Sequence, residues 1–146
     1  MFPKWPIHAE DEIEAAIGVL RSGRTNQWTG EHVARFEDAF GDVFGLNNCL
    51  AAHSGTAALD LCLKGISIGK GDEVLVPARS YVAAAMAVKR IGGRVVLADA
   101  EPLSGNVTVE SLDSVASSRT SAVIVVHIAG WPCDMEPIMQ WANARD

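Results

Sequence analysis

The stretch His53–Leu59, HSGTAAL, joins a short apolar run at Asn48–Ala52 to a helical pattern. Two small hydroxyl residues and a glycine at the start of a helix allow two interpretations. The hydroxyl of Ser54 or Thr56 can cap the helix. Alternatively, an anion can bind the backbone amides, because helix N-termini attract negative charge and Gly55 lets a ligand approach the main chain. The stretch alone leaves both interpretations open.

Downstream of this stretch, apolar runs alternate with helical patterns. We predict four strands, at 48–52, 73–76, 94–98 and 122–128. We predict helices after them at 56–66, 80–91, 108–116 and 135–144. Upstream, two further helices at 10–20 and 31–44 flank the polar loop RTNQWTG, and Gly23 and Gly45 are expected to end them. Thr108 is expected to cap the helix at 108–116, with Ser111 at the position where Glu or Gln would complete a capping box. Strands that are apolar throughout and separated by helices indicate a parallel sheet covered on both faces. The sequence therefore predicts an α/β fold with three αβα layers and a mostly parallel sheet.

The composition excludes several classes of protein. Of the 146 residues, 49% are hydrophobic and 21% are charged, which is typical of a folded, soluble domain. A formal charge of -6 with no basic run argues against nucleic-acid or anionic-membrane partners. Three cysteines without CxxC spacing argue against a disulfide framework and a zinc site, and we predict no metal site. Their apolar contexts predict that Cys49 and Cys62 are buried thiols. The absence of a signal core makes the cytoplasm the expected compartment.

Two further residues lie at or just after the ends of predicted strands, the edge where open α/β sheets bind ligands. Tyr81 opens a helix after the strand EVLV, where its ring could lie against a planar ligand or be half-buried in the core. His127 lies near the end of AVIVVHI, where an acid/base role is possible but the pattern favours a core histidine. An anion cradle and an aromatic ring at two strand ends together suit a planar, phosphorylated cofactor.

Ordered segments over nearly the whole chain resemble the N-terminal half of the large domain in the DegT/DnrJ/EryC1/StrS aminotransferases. They are SGRTNQWTG followed by VARFEDAF, then HSGTAALDLCL, GKGDEVLVPARSYVAAAMAV, GGRVVLADAEP and RTSAVIVVHIAGWPCDM. The resemblance implies a pyridoxal-phosphate (PLP) enzyme of transferase fold type I that aminates keto-sugars. It implies a cofactor-binding set of Ser54, Gly55, Thr56 and Tyr81, with the amides of Gly55 and Thr56 on the phosphate and Tyr81 stacked on the pyridine ring. It also implies that Trp28 and Thr29 lie near the active-site mouth, close to the sugar.

The family's Schiff-base lysine and the acid that pairs with the pyridine nitrogen have no counterpart in these residues, and Lys64, Lys70 and Lys89 lack the lysine's sequence context. We therefore expect no catalytic residue here. Residues 1–146 are expected to form the N-terminal part of the large domain, without the rest of that domain or the small C-terminal domain. The chain alone is expected to be inactive and to bind PLP weakly or not at all.

The complete enzyme would transfer an amino group from an amino acid, in our expectation glutamate, to a nucleotide-linked keto-sugar. The partners implied are these two small molecules and further copies of the chain in a homo-oligomer, because an uncovered sheet edge seeks a partner. The alternative is a non-catalytic, oligomerising or phosphate-binding α/β module that retains the fold. A flavodoxin-like domain that uses SGT for a phosphate is a third interpretation.

Overall fold

A computed structural model of the chain describes residues 5–145, which form two compact units divided between Ala51 and Ala52. The first unit contains helices α1 (Glu10–Ser22) and α2 (His32–Phe44). Each helix ends at a glycine with a left-handed backbone, Gly23 with φ 67° and Gly45 with φ 65°. These are the two stops that the sequence predicts, because glycine adopts positive φ without steric cost.

The second unit carries the sheet. Its elements in chain order are α3 (Gly55–Gly65), β1 (Glu73–Pro77), α4 (Ala83–Arg90), β2 (Arg94–Ala98), α5 (Val109–Asp113), β3 (Thr120–Val123), a 3₁₀ turn (Ile128–Gly130) and α6 (Met135–Asn143). The strands are parallel in the order β2-β1-β3. Among the described residues, β2 and β3 each pair on one side only, so both have a free edge.

The central strand β1 is buried along its whole length, and its side chains alternate between two helical layers. Val74 and Val76 pack in one cluster with residues of α3 and α4, among them Leu63 and Val88. Leu75 packs in a second cluster on the other face, with residues of α5 and α6 that include Leu112 and Ile138. The predicted three-layer α/β architecture with a parallel sheet is therefore confirmed.

Several predicted boundaries are wrong. Asn48–Ala52 forms no strand, because an extended segment becomes a strand only by pairing, and none of the described strands pairs with it. The strand predicted over 122–128 is observed only at Thr120–Val123. The helix predicted from residue 80 begins at Ala83, because the Ser80 hydroxyl donates to the Pro77 carbonyl (3.0 Å) and closes a turn before the helix.

The prediction that Cys62 is buried is also wrong, because its side chain is exposed. Among the three cysteines, only Cys133 is fully buried. The α3 positions that face the sheet are Leu59 and Leu63, so Cys62 points outward from the helix. Cys49 is half-buried. None of the helices within residues 5–145 combines the length and apolar character that a membrane crossing requires.

The amino ends of the strands meet at a charged cluster around Glu73, which is 2% exposed. Its carboxylate accepts hydrogen bonds from the Ser117 hydroxyl (2.6 Å), from Arg94 Nη1 (3.1 Å) and from Arg119 Nη2 (2.6 Å). The Ser117 hydroxyl and the Arg119 guanidinium hold the pKa of this carboxyl below its usual value. The cluster joins β1 to β2 and to the segment that leads into β3.

Candidate cofactor-binding site

The N-terminus of α3 begins at the SGT sequence. Ser54 is extended (φ −162°, ψ 157°), and its hydroxyl accepts a hydrogen bond from the Ala57 amide at 3.2 Å. Its carbonyl accepts from the Ala58 amide at 3.0 Å. Ser54 is therefore the N-cap, and the capping interpretation of the opening stretch is confirmed.

Capping leaves two donors at this end of the helix unused. Among residues 5–145, no acceptor takes the backbone amide of Gly55 or of Thr56. A Cβ placed on Gly55 would have no heavy atom within 4 Å, so the space beside its main chain is open. Because a helix N-terminus carries partial positive charge, two free amides beside open space fit an anion such as a phosphate.

The N-terminus of α3 lies at the carboxyl edge of the sheet. The segment 66–72 leads from the C-terminal end of α3 to the start of β1, and its Ile68 side chain lies near Gly93, which precedes β2. The helix and β1 each span roughly 16 Å, so an antiparallel helix places its first turn level with the end of β1. A bidentate pair between Asp60 and Arg90 (Nε–Oδ2 2.9 Å, Nη2–Oδ1 2.7 Å) joins α3 to α4.

Tyr81 lies at the same edge, four residues after β1 and just before α4. Its carbonyl accepts from the Ala84 amide at 3.3 Å, which fixes the backbone at the entry to the helix. The side chain is 77% exposed, so the interpretation as a half-buried core tyrosine is wrong. An exposed aromatic ring anchored at a helix start has a face available for a planar ligand.

Trp28 and Thr29 lie in the first unit, in the loop between α1 and α2. Trp28 is 95% exposed. The Asn26 side-chain oxygen accepts from the amides of Trp28 (3.0 Å) and Thr29 (3.1 Å) and from the Thr29 hydroxyl (3.3 Å). Asn26 thus shapes the loop that carries both residues. The sequence offered a signal that we missed, because an asparagine in a polar loop commonly forms this kind of turn.

The three lysines of the described residues lie away from the α3 N-terminus. Lys64 is in the last turn of α3 and Lys89 in the last turn of α4, and Lys70 lies in the turn before β1. All three are exposed, and Lys70 and Lys89 come shortly before β1 and β2, at the amino ends of these strands.

His127 follows β3 at the carboxyl edge and is exposed, so the favoured interpretation as a core histidine is wrong. Its Nδ1 accepts a hydrogen bond from the Cys133 amide at 3.1 Å. The turn that follows is fixed by Asn106, a buried residue that sequence reasoning missed. The Asn106 side chain donates to the Trp131 carbonyl (3.0 Å) and accepts from the Ile128 amide (3.2 Å).

Comparison with known proteins gives a consistent result. Residues 6–146 match the DegT/DnrJ/EryC1/StrS aminotransferase family. The chain is 40% identical to GDP-perosamine synthase of Caulobacter vibrioides over 117 residues, which cover 80% of this chain and 32% of the synthase. The structure superposes on an aminotransferase from Psychrobacter cryohalolentis with a TM-score of 0.95 and 38% identity, over 99% of this chain and 37% of that one.

A further structural neighbour is NtdA from Bacillus subtilis, solved with its cofactor PMP bound. The TM-score is 0.84 with 28% identity, over 93% of this chain and 32% of NtdA. A protein from Streptococcus pneumoniae described as a sugar aminotransferase, at a TM-score of 0.86 and 27% identity, has been solved in a PLP form. The chain spans about a third of the length of the relatives that it matches. By the family match, the sequence identities and the superposition together, this chain belongs to the DegT/DnrJ/EryC1/StrS aminotransferase family.

Proposed function

We propose that residues 1–146 are the N-terminal part of the large domain of a sugar aminotransferase and supply the cofactor's phosphate cradle and ring platform. In the complete enzyme, an amino group passes from an amino acid, glutamate in our proposal, to a nucleotide-linked keto-sugar. The name of the Caulobacter relative, GDP-perosamine synthase, supports a nucleotide-linked sugar. PLP, when bound, supplies the electron sink and carries the amino group.

The observation that carries this proposal is the α3 N-terminus. Gly55 and Thr56 offer two unused amides beside open space, and Tyr81 offers an exposed ring at the same sheet edge. A phosphate and an aromatic ring are the two parts of PLP that such a site recognises. In this proposal Ser54 fixes the first turn, the two amides bind the phosphate and Tyr81 packs against the ring, while Trp28 and Thr29 serve the sugar.

We further propose that this chain contains no catalytic residue. The positions of Lys64 in the last turn of α3 and of Lys70 and Lys89 at the amino ends of β1 and β2 support this, since a lysine must reach the cofactor to bond to it. The chain would then bind PLP only through the phosphate and the ring. It would not transfer an amino group by itself.

A titration of the chain with PLP and, separately, with pyridoxal tests the phosphate cradle. We expect PLP to bind and pyridoxal, which lacks the phosphate, to bind at least about tenfold more weakly, because charge-assisted hydrogen bonds contribute about 1.5–3 kcal/mol each. Borohydride reduction followed by intact-mass measurement should yield no stoichiometric adduct. Equal affinity for the two compounds would contradict the proposed phosphate site. A stoichiometric adduct on a single lysine would contradict the proposal that the chain contains no catalytic residue.

The free edge of β3 favours a second candidate function, that of a non-catalytic module that oligomerises. Beside this edge, a cavity of about 480 Å³ opens between β3 and α6, lined by Ala122, Val123, Met139 and Trp141 among others. Unpaired strand edges with apolar surroundings associate readily. Light scattering at high protein concentration tests this candidate, and a clean monomer that still binds PLP would leave only the first proposal.

A further inference from the structure

The turn after His127 holds an unusual backbone. Ala129 adopts φ 51° and ψ 26°, a left-handed conformation that residues with a Cβ disfavour, and Gly130 follows with φ 80°. The Gly130 amide donates to the His127 carbonyl (3.1 Å) and the Trp131 amide to the Ile128 carbonyl (2.8 Å). A left-handed alanine persists only where its surroundings hold it, and such positions concentrate at functional sites.

One buried side chain holds both ends of this turn. Asn106, 4% exposed, comes from the segment between β2 and α5. Its amide nitrogen donates to the Trp131 carbonyl at 3.0 Å, while its amide oxygen accepts from the Ile128 amide at 3.2 Å. Because the side-chain amide is planar, these two bonds together fix the position of the turn relative to the sheet.

The imidazole of His127 is hydrogen-bonded to the segment that follows the turn. The Cys133 amide donates to Nδ1 at 3.1 Å, and the Cys133 thiol donates to the Val126 carbonyl at 3.3 Å. Burial raises the pKa of this thiol, so it stays protonated and keeps its donor. A nitrogen that accepts a hydrogen bond carries a lone pair, so the neutral ring has its proton on Nε2.

We propose that His127 serves the ligand-binding edge as a hydrogen-bond donor through Nε2–H, and that Asn106 is the positioning residue that aims it. The proposal rests on the proposed function, which puts PLP at this edge. His127 is exposed there, four residues beyond the end of β3, and no acceptor within residues 5–145 takes Nε2–H. A general base needs a free lone pair, and the only one on this ring is engaged by Cys133. The group that His127 recognises is therefore an acceptor oxygen of the bound cofactor.

Nitrogen-15 NMR of the imidazole in the 146-residue chain tests the geometry without any ligand. At a pH where the imidazole is neutral, we expect a protonated Nε2 and an unprotonated, hydrogen-bonded Nδ1 in the wild type. In Asn106→Ala the two tautomers should mix, whereas Asn47→Ala, an exposed asparagine of the first unit, should leave the spectrum unchanged. A wild-type ring protonated on Nδ1, or an Asn106→Ala spectrum identical to that of the wild type, would overturn the proposal.

Two variants of His127 separate its structural bond from its ligand bond. His127→Asn places an oxygen near Nδ1, keeps an acceptor for the Cys133 amide and loses the outer donor. His127→Gln places an amide nitrogen near Nε2 and loses the inner acceptor. With PLP as the probe, we expect about fivefold weaker binding for His127→Asn, the usual effect of one neutral hydrogen bond, and binding within about twofold of wild type for His127→Gln.

The reverse order of the two affinities, or unchanged PLP binding in His127→Asn, would refute the donor role. A wild-type chain that binds no PLP would instead count against the proposed function. In that case the nitrogen-15 spectra of the wild type and of Asn106→Ala still decide whether Asn106 sets the tautomer of His127.

Discussion

Replacing Gly55 by alanine separates the two roles of the α3 N-terminus. An added Cβ would meet no heavy atom within 4 Å, and Gly55 does not have a positive φ, so the fold accepts the methyl group. Alanine has a higher helix propensity than glycine and lowers the conformational entropy of the unfolded chain. Together these effects raise the free energy of unfolding by about 0.5–1 kcal/mol. The same methyl group stands in the open space through which a phosphate would reach the amides of Gly55 and Thr56.

We therefore expect Gly55→Ala to be at least as stable as the wild type and to bind PLP about tenfold more weakly, which corresponds to about 1.4 kcal/mol. Urea unfolding and a PLP titration measure the two quantities. Gly65→Ala is the matched control, because Gly65 lies in the same helix, also has open space around its Cβ position and is remote from the helix start. If Gly55→Ala binds PLP as tightly as the wild type, or if Gly65→Ala loses as much affinity, the phosphate does not approach through Gly55.

Two further predictions concern the core and the amino edge. Leu75→Ala should lower the free energy of unfolding by about 2–5 kcal/mol, because Leu75 is fully buried in the central strand; Leu97→Ala, 57% exposed on β2, should change it by no more than about 0.5 kcal/mol. Glu73→Gln should destabilise the fold at pH 7 and flatten its acid dependence. The folded-state pKa of Glu73 lies below its ordinary value of 4.5, so the stabilisation is fully present above that pH and is lost as the pH falls through the folded-state pKa. Urea midpoints between pH 3 and 7 check this, and parallel pH profiles for the two proteins would contradict it.

The elements that the sequence predicts correctly are those with local signals. Helix stops at Gly23 and Gly45 follow from a conformation that glycine alone adopts freely, and the cap at Thr108 follows from the hydroxyl before the helix. Ser111 even completes a reciprocal cap, because its hydroxyl accepts from the Thr108 amide at 3.0 Å, as glutamate or glutamine would at that position.

The features that the sequence leaves out depend on partners far along the chain. Asn106 contacts Trp131, 25 residues away, and no local pattern distinguishes it from a surface asparagine. The run at 48–52 is apolar enough for a strand, but strand formation requires a neighbour that periodicity cannot supply. Tyr81 and His127 lie at strand ends, as predicted. The sequence left a half-buried Tyr81 open and favoured a core position for His127, whereas both are exposed, because residue type and spacing do not report how much of an edge is covered.

The polar groups at the two edges of the sheet differ in whether they have hydrogen-bond partners within the domain. At the amino edge, the carboxylate of Glu73 is surrounded by donors, and the Asp72 side chain takes both the Ser121 hydroxyl (2.9 Å) and the Gly69 amide (2.8 Å). At the carboxyl edge, the amides of Gly55 and Thr56 have no acceptor among the described residues. Polar groups that are hydrogen-bonded within the domain stabilise the fold. Donors that are fixed in place without an acceptor favour the binding of a ligand that supplies the acceptor. The parallel arrangement makes this division possible, since it collects every strand's carboxyl end, and the helix N-termini beside them, on one side of the domain.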